Sequence, residues 1–362
     1  MLFCIGRSVA TALGRGDTEA LDFIITLVES RKRGLLLIYA SAKTVDSVCT
    51  CLVKLGHVRT AELLGSIAKR FREKKQLLKD LTRFVIVGAH GKSPRLHKRG
   101  RIVYLPAFVI NRSNMFYPPV LLGEDLSDCE LYVNRLAAGY ALGVPVSMRE
   151  MKLSQRFEPG GGNNTHTSYG RHKQLELDFC LCVVDSDRTC PTNSVGDTAK
   201  FVMKVDQTSQ SALCRYILID TYSAENLLPI DELEYHFKIG KSAAQIESFS
   251  LIRRMRELDA WQYLPLKKGI KGKDMRSAKG HGVFWRQTLD SMGAKVDCCV
   301  MEDCECRVVP NIGEKTLAHA LDPSRNWVSQ LSNEPNQLVK ENYGLISREV
   351  RSWLCTGAPL RG

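Results

Sequence analysis

Two carboxylates one residue apart close an apolar run in the segment Cys180-Leu-Cys-Val-Val-Asp185-Ser-Asp187-Arg188. Carboxylates are hard oxygen ligands, and two in close reach suit Mg²⁺ or Mn²⁺. The run Leu181 to Val184 is too short for a lone helix and carries β-branched residues, so it predicts a strand inside a sheet. The C-terminal ends of such strands are where open α/β sheets place their chemistry. Asp and Ser at a strand end are also ordinary turn formers, so the segment needs support from elsewhere in the chain.

Two further segments supply it. In Val120-Leu-Leu-Gly-Glu124-Asp125-Leu-Ser-Asp128-Cys-Glu130 another short apolar run ends in an acidic cluster. A helical pattern follows through Leu131, Val133, Leu136, Ala137 and Tyr140, for which Ser127 reads as the N-cap and Glu130 as its capping-box partner. In Tyr216-Ile-Leu-Ile-Asp220-Thr-Tyr-Ser-Ala-Glu225-Asn226 a third apolar run leads to Glu-Asn. The three runs are expected to be strands of one mainly parallel sheet that delivers carboxylates at a single end.

That order of motifs resembles the TOPRIM fold, the metal-binding catalytic domain of topoisomerases, bacterial primases and OLD-family nucleases. In that family a Glu follows the first strand, an Asp-x-Asp follows a later one, and the nuclease branch adds a Glu, often as Glu-Asn. The matching residues are Glu124, then Asp185 and Asp187, then Glu225 with Asn226, over residues 118–230; Asp128 is similar to an Asp that often trails the Glu. The resemblance implies a Mg²⁺- or Mn²⁺-dependent nuclease holding its metal on Glu124, Asp128, Asp185, Asp187 and Glu225. Glu124, Asp185, Asp187 and Lys268 would be the catalytic groups. Topoisomerase and primase activities fit less well, because the chain is short for a strand-passing apparatus and no well-spaced zinc module precedes the acidic core. Among nucleases the resemblance points to OLD-like effectors of bacterial antiphage defence, which often work beside an ATPase that senses infection. No Walker A pattern occurs here, so that ATPase would be a separate protein.

The rest of the chain must position these groups and bring them a substrate. A formal net charge of +12 over 362 residues favours a polyanionic partner, nucleic acid first. Basic residues interleave with aromatics downstream of the acidic motifs: Lys267, Lys268, Lys271 and Lys273 lie between Trp261, Tyr263 and Phe284, Trp285. That mixture suits phosphate contact plus base stacking. A second basic stretch over 92–117 includes Arg99 and Arg101 and reads as a loop or hairpin. The alternative from a different class is a nucleic-acid-binding protein without catalysis, its acidic residues serving as turns or a structural ion site.

The thirteen cysteines are odd in number and many sit in apolar runs, which fits reduced thiols and a cytoplasmic setting. Cys298-Cys299 and Cys304-x-Cys306 are poorly spaced for zinc and read as a Cys-rich structural segment. No apolar run approaches ~20 residues, so no membrane partner is expected, and the first residues lack the pattern of a signal peptide. The turn Gly88-Ala-His90-Gly91 has no Cys after the next strand and reads as a turn rather than a hydrolase site.

The expected fold class is α/β: a mainly parallel TOPRIM-like sheet flanked by helices, with an N-terminal α/β region and a C-terminal basic, Cys-rich extension. The expected domains are an α/β unit over 1–115 with a basic helix and loop, a metal-binding unit over 116–235, and a mainly helical basic region over 236–362. The glycine-rich stretch 157–173 reads as an insertion in the second unit. Strands are expected at 35–40, 84–88 and 102–106, and helices near 19–29, 44–55 and 60–81.

Overall fold

The computed structural model describes residues 1–362 apart from 70, 99, 139–143, 150, 240, 278–279, 295–302 and 361–362. For 71–74 and 244 it describes the backbone alone. Two sheets carry the fold. The first contains β1 (Leu2–Ile5), β2 (Leu37–Tyr39), β3 (Phe84–Gly88), β4 (Arg95–His97) and β5 (Ile102–Pro106), in the order β2-β1-β3-β5-β4. Its pairings are parallel except for β4, which runs antiparallel to β5 and closes a hairpin at the edge. The strands expected at 84–88 and 102–106 stand at those residues.

Then follow β6 (Val120–Gly123), β7 (Lys152–Leu153), β8 (Arg156–Pro159), β9 (Cys180–Val184) and β10 (Cys214–Leu218). β6, β8, β9 and β10 form the second sheet in the order β10-β9-β6-β8, and every pairing is parallel. The three acid-tipped runs therefore share one parallel sheet and end on one side of it. β9 is wholly buried, as a central parallel strand covered on both faces must be. Two short antiparallel pairs complete the sheets: β11 (Ile270–Lys271) with β12 (Arg307–Val309), and β13 (Cys355–Thr356) with β7.

The helices begin where a polar side chain satisfies their free amides. Asp17 accepts from the Ala20 N–H at 3.0 Å, Ser41 from Thr44 at 3.2 Å and Asn336 from Val339 at 3.2 Å. The region expected as one helix over 60–81 is two, Val58–Ala68 and Phe71–Asp80. The last helix, Gln337–Leu354, buries Val339, Tyr343, Ile346, Val350 and Trp353, a spacing of three and four that makes one apolar face. It packs on the segment Leu131–Ala137, where the Ser347 hydroxyl donates to the Leu136 carbonyl at 2.8 Å. One continuous apolar core runs from Met1 and Phe3 through β6, β9 and β10 to Trp353 and Leu354. None of the described helices is long and apolar enough to cross a membrane.

The structure corrects two local expectations. The glycine-rich stretch is not an insertion: it supplies β8, the edge strand paired with β6, and then the helix Thr165–Leu175. The helix after β6 is capped by Asp125 rather than Ser127, with Asp128 in place of Glu130 as the reciprocal partner. The turn closes at once after the strand, so the first carboxylate past Glu124 meets the free amides before Ser127 can.

Candidate active site

The C-terminal ends of β6, β9 and β10 open into a cleft of about 250 Å³ lined by Glu124, Asp128, Asp185, Asp187, Tyr222, Lys267 and Lys268. Glu225 stands behind it, 1% exposed. Size does not decide the matter. A cavity of about 720 Å³ lies between helices Ala42–Lys54 and Val58–Ala68, but its wall is mostly of small residues such as Ala42, Val45, Ala61 and Gly65. The smaller cleft holds the convergent ionisable groups.

Backbone amides hold the carboxylates in place. Glu124 Oε1 accepts from the Asp185 N–H at 3.1 Å, which ties the end of β6 to the end of β9. Asp128 Oδ2 accepts from Asp125 at 2.9 Å, and Asp185 Oδ2 from Ala224 at 3.0 Å. The Tyr132 hydroxyl donates to Asp185 Oδ1 at 3.5 Å. Tyr132 lies on Leu131–Ala137, a π-helical stretch, and such stretches often stand at functional sites. The glycine loop clasps Glu124 from the other side: the Gly161 and Gly162 amides donate to its carbonyl at 3.1 and 3.3 Å.

The electrostatics are those of anions crowded without full compensation. Burial, opposed by the Asp185 amide and reinforced by Asp187, raises Glu124 to about 7. Burial, reinforced by Glu225 and Glu124, raises Asp128 to about 7. Asp185 is raised well above the carboxylate range by loss of hydration and then by Asp128, Glu124, Glu225 and Asp187. Asp187 is raised too, again through burial first, against the pull of Lys268 and Lys267. Lys267 Nζ sits 2.8 Å from Glu225 Oε1. Desolvation works to lower its pKa, but Glu225, Asp128 and Asp185 outweigh it and hold the ammonium above its ordinary value. That contact is an ion pair without hydrogen-bond alignment, for neither Glu225 oxygen has a hydrogen-bond partner among the described residues.

This donor set fits a hard cation. Its ligands are oxygens, their charges repel, and two buried oxygens of Glu225 lack hydrogen bonds. Among the described residues no three or more His, Cys, Asp or Glu side chains form a ready-made metal cage. A Mg²⁺ ion does not ask for one, because it keeps several waters and is bound through one or two carboxylates.

The burial of these acids has a pH consequence. Glu124 and Asp128 bind protons more tightly in the folded chain than in the unfolded one. Their contribution to stability is thus complete below the ordinary carboxylate range and is lost as the pH rises to about 7. In a chelating buffer, Asp128→Asn should gain stability relative to the parent between pH 4.5 and 7.5 by urea titration. A constant difference across that range would contradict the assignment.

Asp187 has φ 51°, a left-handed conformation that Asp tolerates but most residues do not. It is wedged against Gly196, where an added Cβ would lie 2.4 Å from Asp187 Cβ and 2.7 Å from its Oδ2. Gly196→Ala should therefore displace the second carboxylate of the pair while the core stays intact. Metal-dependent thermal stabilisation measured by calorimetry should fall to near the level of Asp187→Asn, and unchanged stabilisation would show that Asp187 is not a ligand.

The other sequence-derived residues fall in different places. Lys271 and Lys273 both pair with Glu305, Lys271 at 2.5 Å. Arg101 lies in the turn just before β5, and its guanidinium donates to the carbonyls of Leu81, Leu78 and Lys79 at the end of helix Phe71–Asp80. It anchors that helix terminus rather than facing the cleft. Arg99, Cys298 and Cys299 lie outside the described residues. Asp220 pairs with Arg188. Tyr132, the Ala224 amide and Tyr222, whose hydroxyl is 3.4 Å from Lys268 Nζ, were not expected at the site. No protein-family model, curated protein or solved structure matches this chain.

Proposed function

We propose that this chain is a Mg²⁺- or Mn²⁺-dependent nuclease that hydrolyses phosphodiester bonds of DNA or RNA. The observation that carries the reading is the cleft itself, in which Glu124, Asp128, Asp185 and Asp187 face Lys267 and Lys268 at the C-terminal ends of parallel strands. The order of the motifs supports it: Glu124 follows the first strand of the second sheet and the Asp-x-Asp a later one, as in the TOPRIM fold. Glu124, Asp128, Asp185, Asp187 and Glu225 would hold the metal. A divalent ion bound there supplies positive charge at the phosphate and a water of lowered pKa.

The chain's own residues do the rest. Glu124, raised to about 7, is placed to take up or return a proton near neutral pH. Lys268, exposed beside Tyr222, offsets charge that develops on the phosphate oxygens. Lys267 lies 2.8 Å from Glu225 Oε1 and so brings a positive charge to the back of the cleft. Lys267 and Lys268 would also meet the incoming backbone, whereas Lys271 and Lys273, paired with Glu305, would reach it only by exchanging that partner for phosphate. A role as an effector in bacterial antiphage defence, in the cytoplasm and beside a separate ATPase sensor, rests on the TOPRIM and OLD resemblance alone.

Incubation of the purified chain with mixed DNA and RNA, in Mg²⁺, Mn²⁺ or a chelator, tests the proposal. Cleavage should require metal and vanish in Asp185→Ala. Binding without cleavage under every condition would replace the nuclease with a nucleic-acid-binding protein. The lysine pair has its own readout. Replacing Lys267 and Lys268 with Ala should flatten the dependence of log affinity on log salt by ~2, since each phosphate contact contributes ~0.9 to the slope. An unchanged slope would remove both residues from the interface.

A further inference from the structure

A second charged cavity lies between the two sheets, away from the acidic cleft. Its volume is about 280 Å³, and Arg83, Leu96, Lys173, Asp206, Ser211, Cys214 and Arg215 line it. Arg83 directly precedes β3 and Arg215 is the second residue of β10, so the cavity sits at the N-terminal ends of both strands. The acidic residues stand beyond the opposite end of β10, about five residues and ~16 Å away at ~3.3 Å per residue.

The cations here outnumber their partners. Lys173, 4% exposed, donates to Asp206 Oδ1 at 2.7 Å and to the Asp206 carbonyl at 3.1 Å. Asp206 is further engaged by the Tyr169 hydroxyl at 2.7 Å. Arg215 pairs with Glu349 at 3.0 Å, and Glu349 also accepts from the Thr82 hydroxyl at 3.0 Å. Both carboxylates are thereby taken up. Arg83 is left over. It is 3% exposed, its Nε donates to the Gly100 carbonyl at 2.9 Å, and its Cζ lies 4.7 Å from the centre of the Trp353 ring. Its Nη1 is buried with no hydrogen-bond partner among the described residues, and it forms no ion pair there.

A buried guanidinium with an unused donor and no anion of its own is costly, and an oxyanion removes that cost. Burial and the neighbouring Arg215 pull Arg83 down to about 10, with Glu349 offsetting them only in part. Arg83 and Arg215 present planar donor forks that match phosphate geometry. The Ser211 hydroxyl, which accepts from the Leu213 amide at 3.2 Å, keeps a proton to donate.

We propose that this cavity binds a small phosphate anion, either inorganic phosphate or the 5′-phosphate of a mononucleotide. The anion would join the start of β3 in the first sheet to β10 in the second, and through Arg215 and Arg83, which hold Glu349 and the Trp353 ring, it would reach the last helix indirectly. It would therefore tie together three regions whose packing sets the position of the acidic strand ends. The site does not depend on the nuclease reading.

Differential scanning fluorimetry and calorimetric titration of the full chain test it, with inorganic phosphate and AMP as separate probes against chloride at equal ionic strength. Either probe should raise the melting temperature beyond chloride. A response to phosphate alone identifies the free anion, and a response to AMP at lower concentration identifies the mononucleotide. Arg215→Ala, at a half-exposed position, should weaken the affinity at least about tenfold, as expected for a charged hydrogen bond, with its melt in chloride checking that the fold survives the loss of the Glu349 pair. Arg83→Lys, which retains the charge but not the fork, should weaken it less than Arg215→Ala does if charge dominates, and as much if the fork does. Asp185→Asn should leave the response intact. The proposal is overturned by no response beyond chloride, by an equal response in Arg215→Ala, or by loss of the response in Lys267→Ala/Lys268→Ala, which would move the anion to the acidic cleft.

Discussion

Asp185→Asn should fold normally, lose cleavage by at least ~10²–10³-fold, and lose most of the stabilisation that Mg²⁺ gives the parent. Asp185 carries the strongest electrostatic burden of the site, being half-buried, largely cut off from hydration, and facing Asp128, Glu124, Glu225 and Asp187. An amide preserves the local bonding. Its oxygen can still accept from the Ala224 amide, and its nitrogen can donate to the Tyr132 hydroxyl, which rotates to accept. What disappears is one negative charge, the quantity a cation needs and an empty site resists. Without metal the variant should thus be at least as stable as the parent. With metal the order should reverse, because a ligand at a hundred times its Kd stabilises by ~2.7 kcal/mol and one that no longer binds adds nothing. Glu130→Gln, beside the cluster but outside its hydrogen bonds, should cleave as the parent does. Thermal melts with and without Mg²⁺, run beside a cleavage assay, read both halves. Parent-like cleavage by Asp185→Asn would remove the acidic cleft as the active site.

Arg256→Met should be among the most destabilising single changes in the chain, at ~3–5 kcal/mol. Arg256 and Glu334 form a fully buried pair, 1% and 2% exposed, with Arg256 Nε 2.8 Å from Glu334 Oε1 and a second parallel bond from Nη2 to Oε2. Arg256 Nη1 also donates to the Asn226 carbonyl at 2.7 Å, and its Cζ lies 4.5 Å from the centre of the Trp261 ring. Methionine fills much of the volume but leaves the Glu334 carboxylate buried and uncompensated. The loss should be largely recovered in Arg256→Met/Glu334→Leu, since replacing both partners removes the stranded charge. Urea denaturation of the two variants distinguishes the cases. A double variant as unstable as the single one would show that packing around Trp261, not charge, dominates.

The parts of this molecule legible in its sequence are those set by local pattern. Apolar runs such as Phe84–Gly88 and Cys180–Val184 announce buried parallel strands, because a strand covered on both faces admits little polarity. The acids at Glu124 and Asp185 were visible as abrupt ends to such runs, whereas the third run ends at Asp220, which pairs with Arg188, and Glu225 stands five residues further on. β8 was not visible, because Arg156-Phe-Glu-Pro159 carries an edge strand's polarity and sits beside glycines that suggest a loop. Ser127 looked like a cap by residue type, but the register of the turn gave that role to Asp125. Tyr132 reaches Asp185 from a π-helical stretch, which shifts its direction away from the ordinary helical period. The proximity of Lys267 to Glu225 comes from tertiary folding across 42 positions, and no local signal marks it.

Asn226 joins two distant stretches of chain. Its side chain accepts from the Ser223 amide at 3.0 Å and donates to the carbonyls of Trp261 and Leu264, each at 3.0 Å. The Tyr222 amide donates to the Gln262 carbonyl at 2.6 Å, so a second bond runs alongside. Glu225 and the lysine turn are thus fastened to each other directly, and the helices between them form an excursion that leaves and returns to one point. Covalent continuity through the excursion is then unnecessary for the alignment of the cleft. A single cut at the exposed Lys241–Ser242 bond would give two fragments that stay docked through these bonds and through the Asn226 carbonyl, which accepts from Arg256 Nη1 at 2.7 Å and from Trp261 Nε1 at 2.9 Å. The molecule is in that sense already a two-piece assembly, and its fragments are suited to reconstitution from separately produced halves.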